Sequence, residues 1–348
     1  MKIKKTAALL MAAILTLSVT ACGSKQNTTA DTTTDANTPA AAETTEGNGE
    51  TTAAEGQVYN VGICQLVQHE ALDAATQGFK DALVEILGES VVFDEQNASN
   101  DPATCATIVN QFVANKVDLI MANATPALQA AVASTADIPI VATSITDYAT
   151  ALDISDWAGT TGINVTGTAD LAPLADQAAM IKELVPDAKK VGILYCSAEP
   201  NSKYQSGVVT AELEAMGLEV EEFTFADSND VMLVAQTAAN NSDVIYIPTD
   251  NTAASNVEII NSVAEPAGIP IIAGEEGICK GCGIATLSID YYSIGYRAGE
   301  MAADILVNGA DPASMEIDFA TELTKKAMVS RCETLGITVP GEYEAIAE

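Results

Sequence analysis

Histidine occurs once in these 348 residues, at His69, and arginine twice, at Arg297 and Arg331. With one histidine, any Ser-His-Asp or Cys-His site must be built on His69, and no G-x-S-x-G elbow frames a serine. An enzyme is therefore not expected, and His69 reads as a polar residue at a helix start. The 15 lysines and arginines face 48 aspartates and glutamates, for a formal charge of −33. Such a chain has no electrostatic footprint for nucleic acid and is repelled by anionic headgroups. The shortage of arginine and the lack of a Gly-rich cradle argue against a phosphate or dicarboxylate ligand. Aromatic residues make up 5%, which argues against a sugar held between aromatic faces. Beyond the first 22 residues no run is long and apolar enough to span a bilayer.

Those first residues carry Lys2, Lys4 and Lys5, then an apolar stretch from Thr6 to Val19, then Val19-Thr20-Ala21-Cys22. A basic start, a short apolar core and small residues before a cysteine read as a secretory signal. The pattern resembles the bacterial lipoprotein signal, which implies cleavage before Cys22 and lipid on its sulfur. Residues 23–56 are rich in Thr, Ala, Asn, Glu and Gly and cannot bury enough surface to order themselves, so they read as a tether.

Of the other cysteines, Cys64, Cys105 and Cys196 sit in apolar patterns and read as small buried hydrophobes. Cys279-Lys280-Gly281-Cys282 is a lone CxxC without a second pair or a suitably spaced histidine, so neither a metal nor a cofactor is expected. A local disulfide there stays open outside the cell.

From Gln57 onward, strand and helix signals alternate. Strands are expected at 58–65, 91–94, 119–122 and 138–143, with helices between them. A second series has strands at 190–196, 219–225, 244–247 and 269–273, with helices at 171–184, 201–216, 230–239 and 252–264. Strand 285–289, helix 292–307 and a strand near 315–319 follow. This alternation is α/β, predicting two doubly wound parallel-sheet lobes joined by a multi-strand hinge. Lobe 1 takes residues 57–163 with a returning segment 290–312. Lobe 2 takes 164–289 with the C-terminal segment 313–348.

Residues 244–255, VIYIPTDNTAAS, run from a buried strand straight into Thr249, Asp250 and Asn251. Asp and Asn are good helix caps, yet ligands in open α/β sheets bind just beyond such strand ends. Other strand ends are polar too. Lobe 1 offers Gln65, Gln68, Thr125, Thr143, Ser144 and, at the crossover, Asn164. Lobe 2 offers Ser197, Asn201, Asp250, Asn251 and Glu275, and the returning strand ends at Asp290. Projected to one edge, they predict a two-walled cleft. Hydroxyls, amides and carboxylates without arginine suit a zwitterion: Asp250 and Asp290 for its ammonium, Thr143, Ser144 and helix-start N–H groups for its carboxylate.

Residues 57–340 resemble the ABC-transporter substrate-binding lipoproteins of the tryptophan/tyrosine-binding type. The resemblance is carried by VGICQLVQHEALDAATQGFKDAL (61–83), TGINVTGTADLAPLADQ (161–177), PDAKKVGILYCSAEPNS (186–202), IYIPTDNTAAS (245–255), PIIAGEEG (270–277) and SIDYYSIGYRAGEMAADIL (288–306). It implies a type I periplasmic-binding fold and import of an amino acid, an aromatic one, with an ABC permease and its ATPase as partners. CKGC at 279–282 departs from the expected pattern. The remaining alternatives are another small polar ligand such as a nucleoside, or a ligand-sensing surface receptor.

Overall fold

The computed structural model describes residues 57–347; the expected signal segment, Cys22 and the tether lie outside them. The first series runs β1 (Tyr59–Gln65), α1 (Glu70–Leu87), β2 (Val91–Asn97), α2 (Pro102–Asn115), β3 (Leu119–Asn123), α3 (Thr125–Ser134), β4 (Ile140–Ile145), α4 (Tyr148–Leu152) and β5 (Val165–Ala169). The second runs α5 (Leu174–Leu184), β6 (Lys190–Cys196), α6 (Pro200–Ala215), β7 (Glu219–Phe225), α7 (Val231–Asn241), β8 (Val244–Ile247), α8 (Asn251–Ala254), α9 (Val257–Ala267), β9 (Ile271–Ala273), α10 (Glu276–Cys282) and β10 (Ala285–Ile289). Then come α11 (Tyr291–Asn308), β11 (Asp318–Phe319), β12 (Leu323–Ala327), α12 (Val329–Thr334) and β13 (Glu344–Ala345).

Two sheets result, ordered β11-β5-β4-β3-β1-β2 and β13-β12-β10-β9-β8-β6-β7. Every pairing in the first is parallel. In the second only β12 against β10 is antiparallel. Successive residues of β1 serve both faces of the sheet, as parallel strands covered on two sides must: Val61 and Ile63 enter one apolar cluster, Cys64 the other. Both sheets reverse their strand order beside their first strand, β1/β3 and β6/β8, so the carboxyl ends there form natural crevices.

Sheet membership corrects the expected boundaries. VTGTA (165–169) looks like polar crossover chain but pairs with β4, so the first sheet reaches six residues past 163. β11 pairs with β5, so the segment returning at 290 also runs on past 312. The chain passes between the sheets three times, after β5, after β10 and after β11. The single helix expected over 252–264 is two, α8 and α9, and CKGC closes a further short helix, α10. β12 went unread because LTKKA carries two lysines in five residues. Cys279 and Cys282 are buried, free thiols on α10, and burial pushes Cys282 up to about 12.

α1 and α11 pack backbone against backbone. A Cβ on Gly78 would lie 2.1 Å from the Tyr292 carbonyl oxygen, and one on Gly295 2.0 Å from that of Ala75. Gly295→Ala should therefore force the helices apart and cost about 1–3 kcal/mol or more. Gly207→Ala, at an exposed position of α6 with nothing within 4 Å of the new methyl, should stabilise by up to about 1 kcal/mol through helix propensity. Thermal melts of the two variants with opposite signs are the expected outcome; equal shifts would contradict the close-packed seam.

Candidate functional site

Gly167, next to β4, holds φ +147, and a Cβ there would sit 1.9 Å from the Ala142 carbonyl oxygen. The β4–β5 register shifts between Ala142 and Ile145, and inside the shift Ser144 takes the left-handed φ of 57°. A bulge re-aims a side chain, and this one turns Ser144 into the space between the sheets. Strain of this kind collects at functional sites.

That space is a narrow cavity lined from the first half by His69, Leu72, Ser144, Thr146 and Asp170, and from the second by Asn201, Thr249, Asp250, Asn251, Ala254 and Glu275, with Tyr291 between. It retains about 10 Å³ of water-accessible volume, room for about one water. Hydrogen bonds cross between the walls: His69 Nε2 to Asn251 Oδ1 at 3.2 Å, Asn100 Nδ2 to Thr252 Oγ1 at 2.9 Å, and Thr146 with Thr249 at 3.3 Å.

Three polar atoms on this lining are buried without a hydrogen-bond partner: Ser144 Oγ, Asp170 Oδ1 and Asn201 Oδ1. Buried polar groups are rarely left unpaired, so each needs a reason. Asp170 Oδ2 accepts from the Tyr291 hydroxyl at 2.8 Å. Burial raises the Asp170 pKa, with the Tyr291 and Thr146 hydroxyls pulling the other way. Burial also lowers that of His69. Because Asn251 Nδ2 donates to Glu199 at 2.7 Å, its Oδ1 is the acceptor, which assigns the proton to His69 Nε2.

Asp250 answers the question posed by its stretch of sequence in an unexpected way. Oδ1 accepts from Ala253 N at 2.7 Å, capping α8, and Oδ2 accepts from Cys196 N at 2.7 Å, tying β6 to β8. Burial first, then the neighbouring Glu199 carboxylate, push its pKa up to about 8 against those N–H groups. Glu275 likewise caps α10 through Gly277 N and Ile278 N, and burial lifts it to about 7.

Of the residues expected from the sequence, Ser144, Asn201, Asp250, Asn251 and Glu275 line the cavity. The others do not. Gln65 is consumed within the first half by Val67, Asp73 and Thr76. Gln68 is exposed on an outer groove. Thr125 opens α3, and the Thr143 hydroxyl accepts from Thr168 at 2.9 Å. Asn164 precedes β5, at the opposite edge of the sheet, and ties down the Thr135 and Ile138 carbonyls. Ser197 is exposed and donates to Phe225 O. Asp290 is exposed and caps α11 through Ser293, so it does not face Asp250 across the cleft. Missed on the lining were Asp170 and Tyr291, and behind it Glu199, which bonds to Asn251 and Asn201. Asp170 directly follows β5 and could have been found by treating VTGTA as a strand.

A group whose folded pKa is raised binds more protons folded than unfolded. Its contribution to stability is present below the unfolded pKa of about 4 and is lost as pH rises toward the folded value. Stability should therefore fall from about pH 4 to 7 on account of Glu275, and on to about 8 on account of Asp250. Glu275→Gln should flatten the lower part of that slope. Melting temperature measured against pH for both proteins checks this; parallel curves would refute it.

Residues 60–347 match the family model described as ABC transporter substrate binding protein. The chain is 39% identical over 250 residues to a tyrosine-binding protein of Clostridioides difficile, covering 71% of this chain and 72% of that one. It superposes with TM-score 0.80 and 32% identity on a Streptococcus pneumoniae ABC domain solved with L-Trp, covering 84% of this chain and all of the other. Against a ligand-free, open substrate-binding protein with adhesive properties from Clostridium difficile, the TM-score is 0.64 at 34% identity, over 83% and 99% of the two chains. The two sheets, their three crossings and the cleft between them have the type I periplasmic-binding architecture, and proteins of this kind work outside the cytoplasm. The chain belongs to the ABC transporter substrate-binding protein family.

Proposed function

We propose that this protein binds an aromatic amino acid, tryptophan or tyrosine foremost, between its two sheets and delivers it to an ABC permease driven by its ATPase. The observation that carries the reading is the group of three unpartnered polar atoms on the buried lining, Ser144 and Asp170 on one wall and Asn201 on the other. Their chemistry divides as a zwitterion requires. Asp170 Oδ1 and Asn201 Oδ1 accept, so they face the ammonium. The Ser144 hydroxyl can donate, so it faces the carboxylate. No lysine or arginine lines the cavity, which disfavours a second negative charge on the ligand. The relatives that bind tyrosine and L-Trp support an aromatic side chain. An aromatic ring needs more room than the cavity has here, so the walls part to admit it and close around it on a wider cavity. Asp170 replaces the Asp250–Asp290 pair as the ammonium partner, because Asp250 is committed to two backbone N–H groups and Asp290 lies outside.

Lipid on Cys22 and the chain from 23 to 56 tether the folded body to the outer face of the cell membrane. Cys22→Ala should move the protein from the membrane fraction to the medium when cells are fractionated. Retention in the membrane would rule out this anchor.

Truncating one partner of a buried, hydrogen-bonded charge pair costs about 2–5 kcal/mol, or roughly 30-fold to several-thousand-fold in affinity. Asp170→Asn should weaken tryptophan or tyrosine binding by that range in calorimetric titration. Asp290→Asn, at an exposed carboxylate, should change it by less than about threefold. Equal affinity of Asp170→Asn and wild type would sink the assignment.

A further inference from the structure

We propose that Glu199 is a positioning residue for ligand retention: it sets the latch that holds the two walls closed. The inference rests on the reading that the cleft closes over an amino acid. Glu199 does not line the cavity and is only 3% exposed. Its carboxylate gathers the start of α8. Oε2 accepts from Asn251 N at 3.0 Å and Asn251 Nδ2 at 2.7 Å. Oε1 accepts from Thr252 N at 2.8 Å and Thr252 Oγ1 at 2.7 Å. Asn201 Nδ2 adds a contact to Oε2 at 3.2 Å.

The two residues it grips are those that reach across. Asn251 Oδ1 accepts from His69, and Thr252 Oγ1 accepts from Asn100. Glu199 decides how they do so. With Asn251 Nδ2 committed to the carboxylate, only Oδ1 is left to face His69. With the Thr252 proton committed to Oε1, only the lone pairs of Oγ1 are left to face the Asn100 amide. One acceptor-only group on one wall thus presents two acceptors to two donors on the other. A carboxylate is the side chain that fits, because all of its partners are donors. A glutamine would place its NH₂ against two of those donors, leaving them unpaired.

The latch is made only after closure, so ligand reaches the open protein without it. Glu199→Gln should raise the dissociation rate of tryptophan or tyrosine on the order of tenfold or more and leave the association rate within about threefold, as affinity differences within one site reside mostly in dissociation. Stopped-flow titration of tryptophan or tyrosine fluorescence, or of competition between them, reads both rates. Small-angle scattering of the same variant, with and without ligand, should show a larger radius of gyration than wild type. Asn100→Ala removes one cross-wall bond at the rim without disturbing Glu199, and so keeps the test open should Glu199→Gln fold poorly. Residues acting through one network are non-additive: Asn100→Ala should speed dissociation in the wild-type background and change it little in Glu199→Gln. Additive effects, or a faster association with unchanged dissociation, would overturn the proposal. If wild type binds neither amino acid, the functional reading fails by itself. The latch is then judged by scattering alone, where Glu199→Gln and Asn100→Ala each as compact as wild type would overturn it.

Discussion

Four carboxylates, Asp170, Glu199, Asp250 and Glu275, are buried along one cleft, and no lysine or arginine lines its cavity. Isolated buried charges are expensive, so the local architecture is organised around supplying them with donors. Backbone N–H groups at helix starts take up Asp250, Glu275 and Glu199. Each of these carboxylates holds a short element in place at the end of a strand. Asp170 alone keeps an oxygen without a partner. Three of these acids are thus satisfied within the fold, and the fourth keeps a free acceptor facing the cavity.

Small residues make that arrangement reachable. Gly167 permits the bulge that turns Ser144 inward. Gly78 and Gly295 let α1 and α11 approach until backbone meets side-chain-free backbone. α11 starts directly after the second crossing, at Asp290, and α1 directly after His69. The seam therefore fixes the root of Tyr291, which donates to Asp170, and the start of the helix that follows His69. Packing on the outer face and polar geometry in the cleft are connected through the same two helices.

Closure adds a second layer. The cross-wall bonds run between side chains far apart in sequence, such as Asn100 and Thr252, and tie the halves at the cleft. Bonds of this kind are individually modest, which suits the opening and closing proposed for these walls.

The alternation of apolar runs with helical segments determined the α/β class, the two halves and most elements, because burial on both faces of a parallel sheet leaves a contiguous apolar run in the sequence. Strand-end position also made Ser144, Asn201, Asn251, Asp250 and Glu275 legible as cleft residues. Where polar residues stand within short strands, as in VTGTA and LTKKA, that signal fades, and the boundary at 163 and β12 were misread for this reason. Which polar strand end meets which partner was decided only by tertiary structure. Asp250 and Asp290 look alike as sequence, yet one is buried against Cys196 N and Ala253 N and the other caps α11 in solvent. Glu199 gave no local sign of its place, and Asp170 only the strand-end position that VTGTA hid. A carboxylate's role depends on how many donors reach it and how much water is left, and both are set by segments far away in the chain, 52 residues for Glu199 and Asn251 and 121 for Asp170 and Tyr291.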